Sequence, residues 1–350
     1  MRVVCALLAA MLTAGACTEE PTEGPDAGSG HPIRFDVSQS DAAPWIGASR
    51  AADDDAAASE SDAIPLKSED SDLTLYLHAT VSDTRDDASG SGPATRGTPV
   101  TNLEKPGSKI GVISFVYNAD QEWSEKFTPS LMVNIPVEYE ADSGKGWITK
   151  ESYYWPGSRK KIRFFAYAPY DEWRDQVSDL TLPGIPAISY TVPEHVSDQH
   201  DFLVADSGEL PGDGSEPAAL KFRHALTAIR FAAGKIQEPG YISSISLKKV
   251  NGKGVCSLGD ATWTEWSEPN SSYTLTFDPP ISIGSTIAPD DPITNEDQTF
   301  FVIPQQLPDE ATVEMMFTER GATKPQTFTA SIAGRQWSPG KIIIYRISTQ

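Results

Sequence analysis

"YYWPGSRKKIRFFAYAPY", residues 153–170, decides how the rest of the chain is read. It gathers aromatic rings and four cations (Arg159, Lys160, Lys161, Arg163) in a chain that carries 28 Lys+Arg against 49 Asp+Glu. A nucleic-acid surface, a sugar platform and a plain β-strand are the competing readings. Pro156-Gly157 supplies turn geometry. Beyond it the chain alternates with the period of two that marks a strand, Ile162, Phe164 and Ala166 against Arg163, Phe165 and Tyr167. Either face can be the core. The cations then fall near an exposed turn and a strand edge, where Lys discourages edge pairing. Trp155 and Tyr153 remain candidate glycan contacts, because rings stack on sugar faces. The nucleic-acid reading fails on charge: the net charge is −21 and the pI about 4.6, whereas nucleic-acid binders carry basic fields.

The strand reading extends outward. From residue 110 onward most segments alternate, among them "KIGVISFVY", "AISYTV", "YTLTFD", "TVEMMFT" and "KIIIYRIS". They are separated by Pro and Gly, and 27 Pro in 350 residues exceeds the usual ~5%. Such punctuation breaks helices and suits short strands packed as sandwiches. Residues 225–236 also fit a helical period, but strand is the preferred reading there; "WRDQVSDL" is read as one short helix. The length suggests two domains, at roughly 150 residues each, large enough to bury cores without staples. "DSGELPGDGSEP" (206–217) is the expected boundary loop. The predicted bodies are therefore 32–206 and 217–350. Within the first, "IRFDVS" (33–38) and "LTLYLHATV" (73–81) read as strands, and 47–71 and 82–99 as disordered insertions.

The N-terminus reads as a targeting segment. Met1-Arg2 precedes an apolar run too short to span a bilayer, ending in "AGAC". Small residues before a cysteine mark the site where a bacterial lipoprotein signal peptide (1–16) is removed and Cys17 is lipidated, with palmitate as a marker of the attached acyl chain. Residues 17–31, acidic and rich in Pro and Gly, form a tether. Only Cys256 lies in the body, so neither a disulfide framework nor a cysteine zinc cluster is expected.

Several segments in series resemble the fimbrillin (Mfa-like) family of Bacteroidales surface lipoproteins. They are the lipoprotein start, "ATRGTPVTNLEKPGSKIGVISFVY", the opening stretch, "ISYTVPEHVSDQHDFLVA", "LKFRHALTAIRF", "FFVIPQQLP" and "WSPGKIIIYRIS". The resemblance implies an all-β fold, two transthyretin-like β-sandwich domains in tandem, and a fimbrial subunit or cell-surface adhesin on the outer membrane or in a fimbrium. It implies an Arg-specific cut ahead of the main body, loss of the first strand, and β-strand donation by other fimbrial subunits. Arg96 in "PATRGTPVT" is the first candidate for that cut, Arg85 the second and Arg50 the third. A host protein or glycan is a possible further partner, and the lipid on Cys17 ties the chain to the outer membrane.

Catalytic signals are weak. "HVSDQHD" offers His195, Asp198, His200 and Asp201, but no metal-ligand spacing matches, so turn hydrogen bonds are the expected use. His224 is read as a structural histidine and Cys256 as a small core residue. No GxSxG elbow occurs. The expectation is no enzyme, no cofactor, no metal and no nucleic acid. The competing function is a surface glycan-binding lipoprotein of a nutrient-uptake system, using Trp123, Trp155 or Trp173.

Overall fold

The computed structural model describes residues 30–39, 63–82, 100, 102–141, 146–284 and 291–349. In chain order the strands are β1 (Phe35–Gln39), β2 (Ile64–Lys67), β3 (Thr74–Ser82), β4 (Lys109–Asn118), β5 (Ile135–Glu140), β6 (Gly146–Thr149) and β7 (Lys160–Ala168). The one-turn helix α1 (Tyr170–Trp173) follows, then β8 (Ala187–Thr191), β9 (Leu203–Pro211), β10 (Ala218–His224), β11 (Thr227–Ala233), β12 (Gly240–Val250), β13 (Lys253–Ser257) and β14 (Trp263–Ser267). The last are β15 (Ser271–Ile283), β16 (Phe300–Val302), β17 (Gln305–Gln306), β18 (Thr312–Glu319), β19 (Gln326–Ser331), β20 (Gln336–Trp337) and β21 (Ile342–Ser348). The protein is all-β, and within 225–236 the residues Thr227–Ala233 are strand, the reading preferred over helix.

Seven strands close into a barrel in the order β1-β10-β9-β7-β4-β5-β6, sealed by the single pair Phe35↔Trp147. Nine more form one sheet, β15-β12-β18-β19-β2-β3-β21-β11-β16. Its halves meet at one residue pair, Thr329↔Lys67. A three-stranded sheet, β14-β13-β8, and the pair β17-β20 complete the fold.

β7 shows how these parts join. Ile162, Phe164 and Ala166 lie in the core inside the barrel, whereas Phe165 and Tyr167 lie in the core shared with the large sheet. Its neighbours repeat the pattern: Ile110 and Val112 of β4 face one core, Ile113 and Phe115 the other. Both faces of this wall are thus buried. Each phenyl ring hidden here is worth about 1.5–3 kcal/mol over exposure. Gly111 of β4 has a specific role, because a Cβ there would lie 2.2 Å from the ring of Tyr167, its registered partner. The absence of a side chain lets that ring lie flat across the strand.

Three sequence expectations change here. β7 is interior, between β4 and β9, not an edge. Two of its cations are neutralised in place: Arg163 donates from Nε to Asp206 Oδ1 at 2.9 Å and sits 4.6 Å over the Trp123 ring, and Lys161 lies 3.5 Å from Glu209. Within the expected insertion 47–71, Ile64–Lys67 is strand, with Leu66 fully buried. Two apolar residues beside a Pro give too short a pattern to register from sequence. Residues 206–211, expected as loop, complete β9. Gly208 there has φ 67°, near a register shift between Arg163 and Phe165 on β7, so the glycine marks a bulge within the strand. The chain crosses from barrel to large sheet at Ala225–Leu226, while β2 and β3 had already joined the large sheet.

Candidate functional site

Upstream of residue 96, the described chain consists of β1, with its flanking residues, and the β2–β3 hairpin. Each is seated inside a sheet whose other strands lie downstream. β1 runs parallel to β10, Phe35↔Ala218 through Gln39↔Phe222. Its alternation sends Ile33, Phe35 and Val37 into the barrel core, where Phe35 meets Phe164 edge-on at 5.3 Å. The chain entering it is laced to the opening stretch: Ile33 N donates to Tyr153 O at 2.8 Å and Trp155 N to His31 O at 3.1 Å.

β3 lies between β2 and β21, antiparallel to both. Leu75, Leu77 and Ala79 are buried, and His78 Nε2 lies 2.8 Å from Ser348 Oγ of β21. Ser71, in the turn before β3, donates to Glu319 Oε1 at 2.7 Å. β21 is therefore paired on both sides, by β3 and by β11.

Beyond the cut candidates, Val100 is pinned. Its N–H donates to Asp201 Oδ2 at 3.0 Å and its carbonyl accepts from Gln39 Nε2 of β1 at 2.8 Å. Asp201 also meets His224 Nδ1 at 2.8 Å, both side chains buried. A buried carboxylate needs such partners. The arrangement holds the upstream strands through main-chain hydrogen bonds, with alternate side chains setting register.

The expected site residues divide. Cys17, Arg96, Arg85 and Arg50 lie outside the described residues. Trp155 is only 2% exposed, packed against Phe164 and Gly214, so its ring has no face for a sugar; Tyr153 is half-buried. Trp173 is buried against Tyr190 and Phe202, and Trp123 is capped by Arg163. Trp155 and Trp173 are core, and Trp123 and Tyr153 are partly buried against it. Among the described residues the exposed indole is Trp266, which sequence reasoning missed; a bulge falls between it and buried Trp263, so alternation along the strand gave no sign of it.

His195–Asp201 is structural. Gln199 is buried, accepting from Phe301 N at 2.8 Å and donating to Pro193 O at 3.0 Å, while Asp198 N closes a turn on His195 O at 2.9 Å. His200 Nε2 lies 3.5 Å from Glu172. Among the described residues no group of three or more His, Cys, Asp or Glu is placed to hold a metal ion. Burial pushes the Cys256 thiol well up, away from the thiolate a nucleophile needs.

A fimbrillin-like family model matches residues 95–350. The fimbrium subunit Fim1C of Phocaeicola vulgatus is 27% identical over 214 residues, 51% of this chain and 53% of that protein, so the match spans about half the relative's length. Among solved structures, a fimbrial protein from Bacteroides vulgatus is 18% identical, with a TM-score of 0.49, covering 68% of this chain and 87% of that one. A fimbrial assembly protein from Parabacteroides distasonis is 12% identical, with a TM-score of 0.35, covering 73% and 87%. The family match alone takes in well over half the chain, from next to Arg96 to the end: this protein belongs to the fimbrillin-like family.

Proposed function

We propose that the chain is a fimbrial subunit, exported as a lipoprotein on Cys17, cut after Arg96 and assembled at the cell surface by accepting a neighbour's strand. The observation that carries this reading is the seating of β1, β2 and β3. β1 by itself, and the β2–β3 hairpin as a unit, are inserted between strands that lie downstream of Arg96. Their departure opens the barrel between β10 and β6, and the large sheet between β19 and β21. Each opening presents unpaired N–H and C=O groups that invite strand addition. The family match beginning at residue 95 supports the same division, since the retained part is the family's part. β21, held on both edges before the cut, serves in this reading as an acceptor wall.

The test is treatment of the purified protein with an Arg-specific protease, followed by N-terminal sequencing and a search for oligomers. A stable core starting at Gly97 that forms ladders is the expected result, and Arg96→Ala should suppress both. A core at Gly97 that stays monomeric removes the stalk role, and no cleavage at Arg96 rejects the processing step. Radiolabelled palmitate should enter wild type but not Cys17→Ala.

A further inference from the structure

Away from the seats of β1 and β3, the β14-β13 hairpin and the β17-β20 pair enclose an open groove of about 540 Å³. Trp266 lies in it, 48% exposed. The indole Nε1 donates to Pro304 O at 2.9 Å. One edge of the ring is thus fixed while about half of the side chain meets solvent.

The backbone around Trp266 is unusual. The ladder passes from Lys253↔Ser267 to Val255↔Thr264, so Glu265 and Trp266 together oppose Gly254. Such an extra residue re-aims side chains and is frequent beside binding sites. Glu265 takes φ 55°, Ala261 φ 60° and Glu268 φ 57°. Three non-glycine residues in the left-handed region within one hairpin is a local concentration of strain of the kind that gathers at functional sites.

The groove's polar side chains are one carboxylate and a set of neutral hydroxyl and amide groups. Asp260 Oδ2 accepts from Thr262 Oγ1 at 2.6 Å, and Oδ1 from Thr262 N at 3.0 Å. Partial burial pushes its carboxyl up, but these bonds outweigh it and hold the group below its ordinary value, as an ionised acceptor. Gln306 and Gln336 are exposed and face each other across β17-β20. Gln336 Nε2 donates to Trp337 O at 3.0 Å, and the Gln306 amide has no partner among the described residues. Behind them the buried Gln305 is locked to the Asn251 backbone, accepting at 2.8 Å and donating at 3.0 Å.

The lining contains no Lys, Arg or His. Arg223 acts on Asp260 from outside the lining, donating to Gly259 O, so no cation faces an anionic ligand, on a chain of net charge −21. A quaternary ammonium wants several rings and no donors, whereas this groove has one exposed ring and several amides. What fits is a neutral molecule with one apolar face and an edge of hydroxyls that both donate and accept. A pyranose ring has that form, and the groove volume is in the usual range for small-ligand sites.

We propose that this groove binds a neutral oligosaccharide, with one pyranose face against the Trp266 indole and its hydroxyls held by Asp260, Gln306 and Gln336. The test presents the full chain to an array of immobilised neutral and acidic oligosaccharides, and measures hits in solution by calorimetry. Wild type should retain one or more neutral oligosaccharides. Trp266→Ala should weaken binding at least tenfold and Gln306→Ala severalfold. Gln306→Ala removes an exposed, unpartnered amide, so the fold should survive it, with the thermal midpoint within about 3 °C of wild type. The proposal is overturned by an array with no neutral hit above background, by binding of acidic glycans alone, or by hits that survive both substitutions.

Discussion

β1 and β3 lie on the same side of the candidate cut and both bury alternate side chains, yet they are held differently. β1 is the seam of a closed barrel, with a full parallel ladder to β10 on one side and a single residue pair to β6 on the other. β3 is interior to its sheet, with antiparallel ladders to β2 and β21. The β2–β3 hairpin is likewise joined to the rest of its sheet by one full ladder, to β21, and by the single pair Thr329↔Lys67. The difference therefore lies in the ladder: five parallel pairs hold β1, seven antiparallel pairs hold β3, and parallel pairing is slightly weaker per residue. In the proposed strand exchange the barrel therefore offers the easier exit and the large sheet the harder one. The strand more costly to remove also leaves the longer row of unsatisfied main-chain groups, and so the stronger reason to be refilled.

The largest test of this contrast is Leu77→Asp in β3. Leu77 is fully buried and registered with Ile64 and Ile347. An unpaired carboxylate there should cost more than about 4 kcal/mol and abolish cooperative unfolding of the large sheet in urea. Survival within 1 kcal/mol of wild type would break the comparison. Next is Phe35→Ala in β1, expected to cost about 3 kcal/mol through the lost ring and cavity. Its signature is local: hydrogen exchange should rise in β1, β10 and β6 while β21 keeps its protection. Equal loosening of β21 would mean the two seats are one cooperative unit. The smallest is Ser71→Ala, which removes the hydroxyl bond to Glu319 that ties the β2–β3 turn to β18. A loss of about 1 kcal/mol is expected, with the urea midpoint lowered and its slope unchanged; a change in slope would place the effect in the unfolded chain instead.

The tryptophans teach the same lesson on a smaller scale. "YYWPG" and "WTEWS" both present indoles beside turn-like chain. Trp155 is covered because Phe164 of β7 and the downstream Gly214 close on its ring, contacts that only the folded barrel makes. Trp266 stays open because a bulge turns it toward Pro304 instead of into the core. Gln306 and Gln336 meet only when β17 pairs with β20. Their sequence surroundings carry no mark of that meeting, so the groove could not be assembled from local pattern.

What the sequence determined by itself was local. Period-two alternation fixed which residues of 160–168 share a face, the Pro-Gly step fixed the turn before them, and the charge balance argued against nucleic acid. What the tertiary structure alone decided was coverage and partnership: that both faces of β7 are buried, that β2 and β3 cross to the large sheet, and that 206–211 stays in the barrel wall. The physical reason is that alternation is a property of one strand's backbone, whereas a face is buried only by whatever packs on it. In a fold whose strands pair across long stretches of chain, that neighbour is chosen by the total burial of apolar surface and the satisfaction of every main-chain group, and neither can be computed one segment at a time.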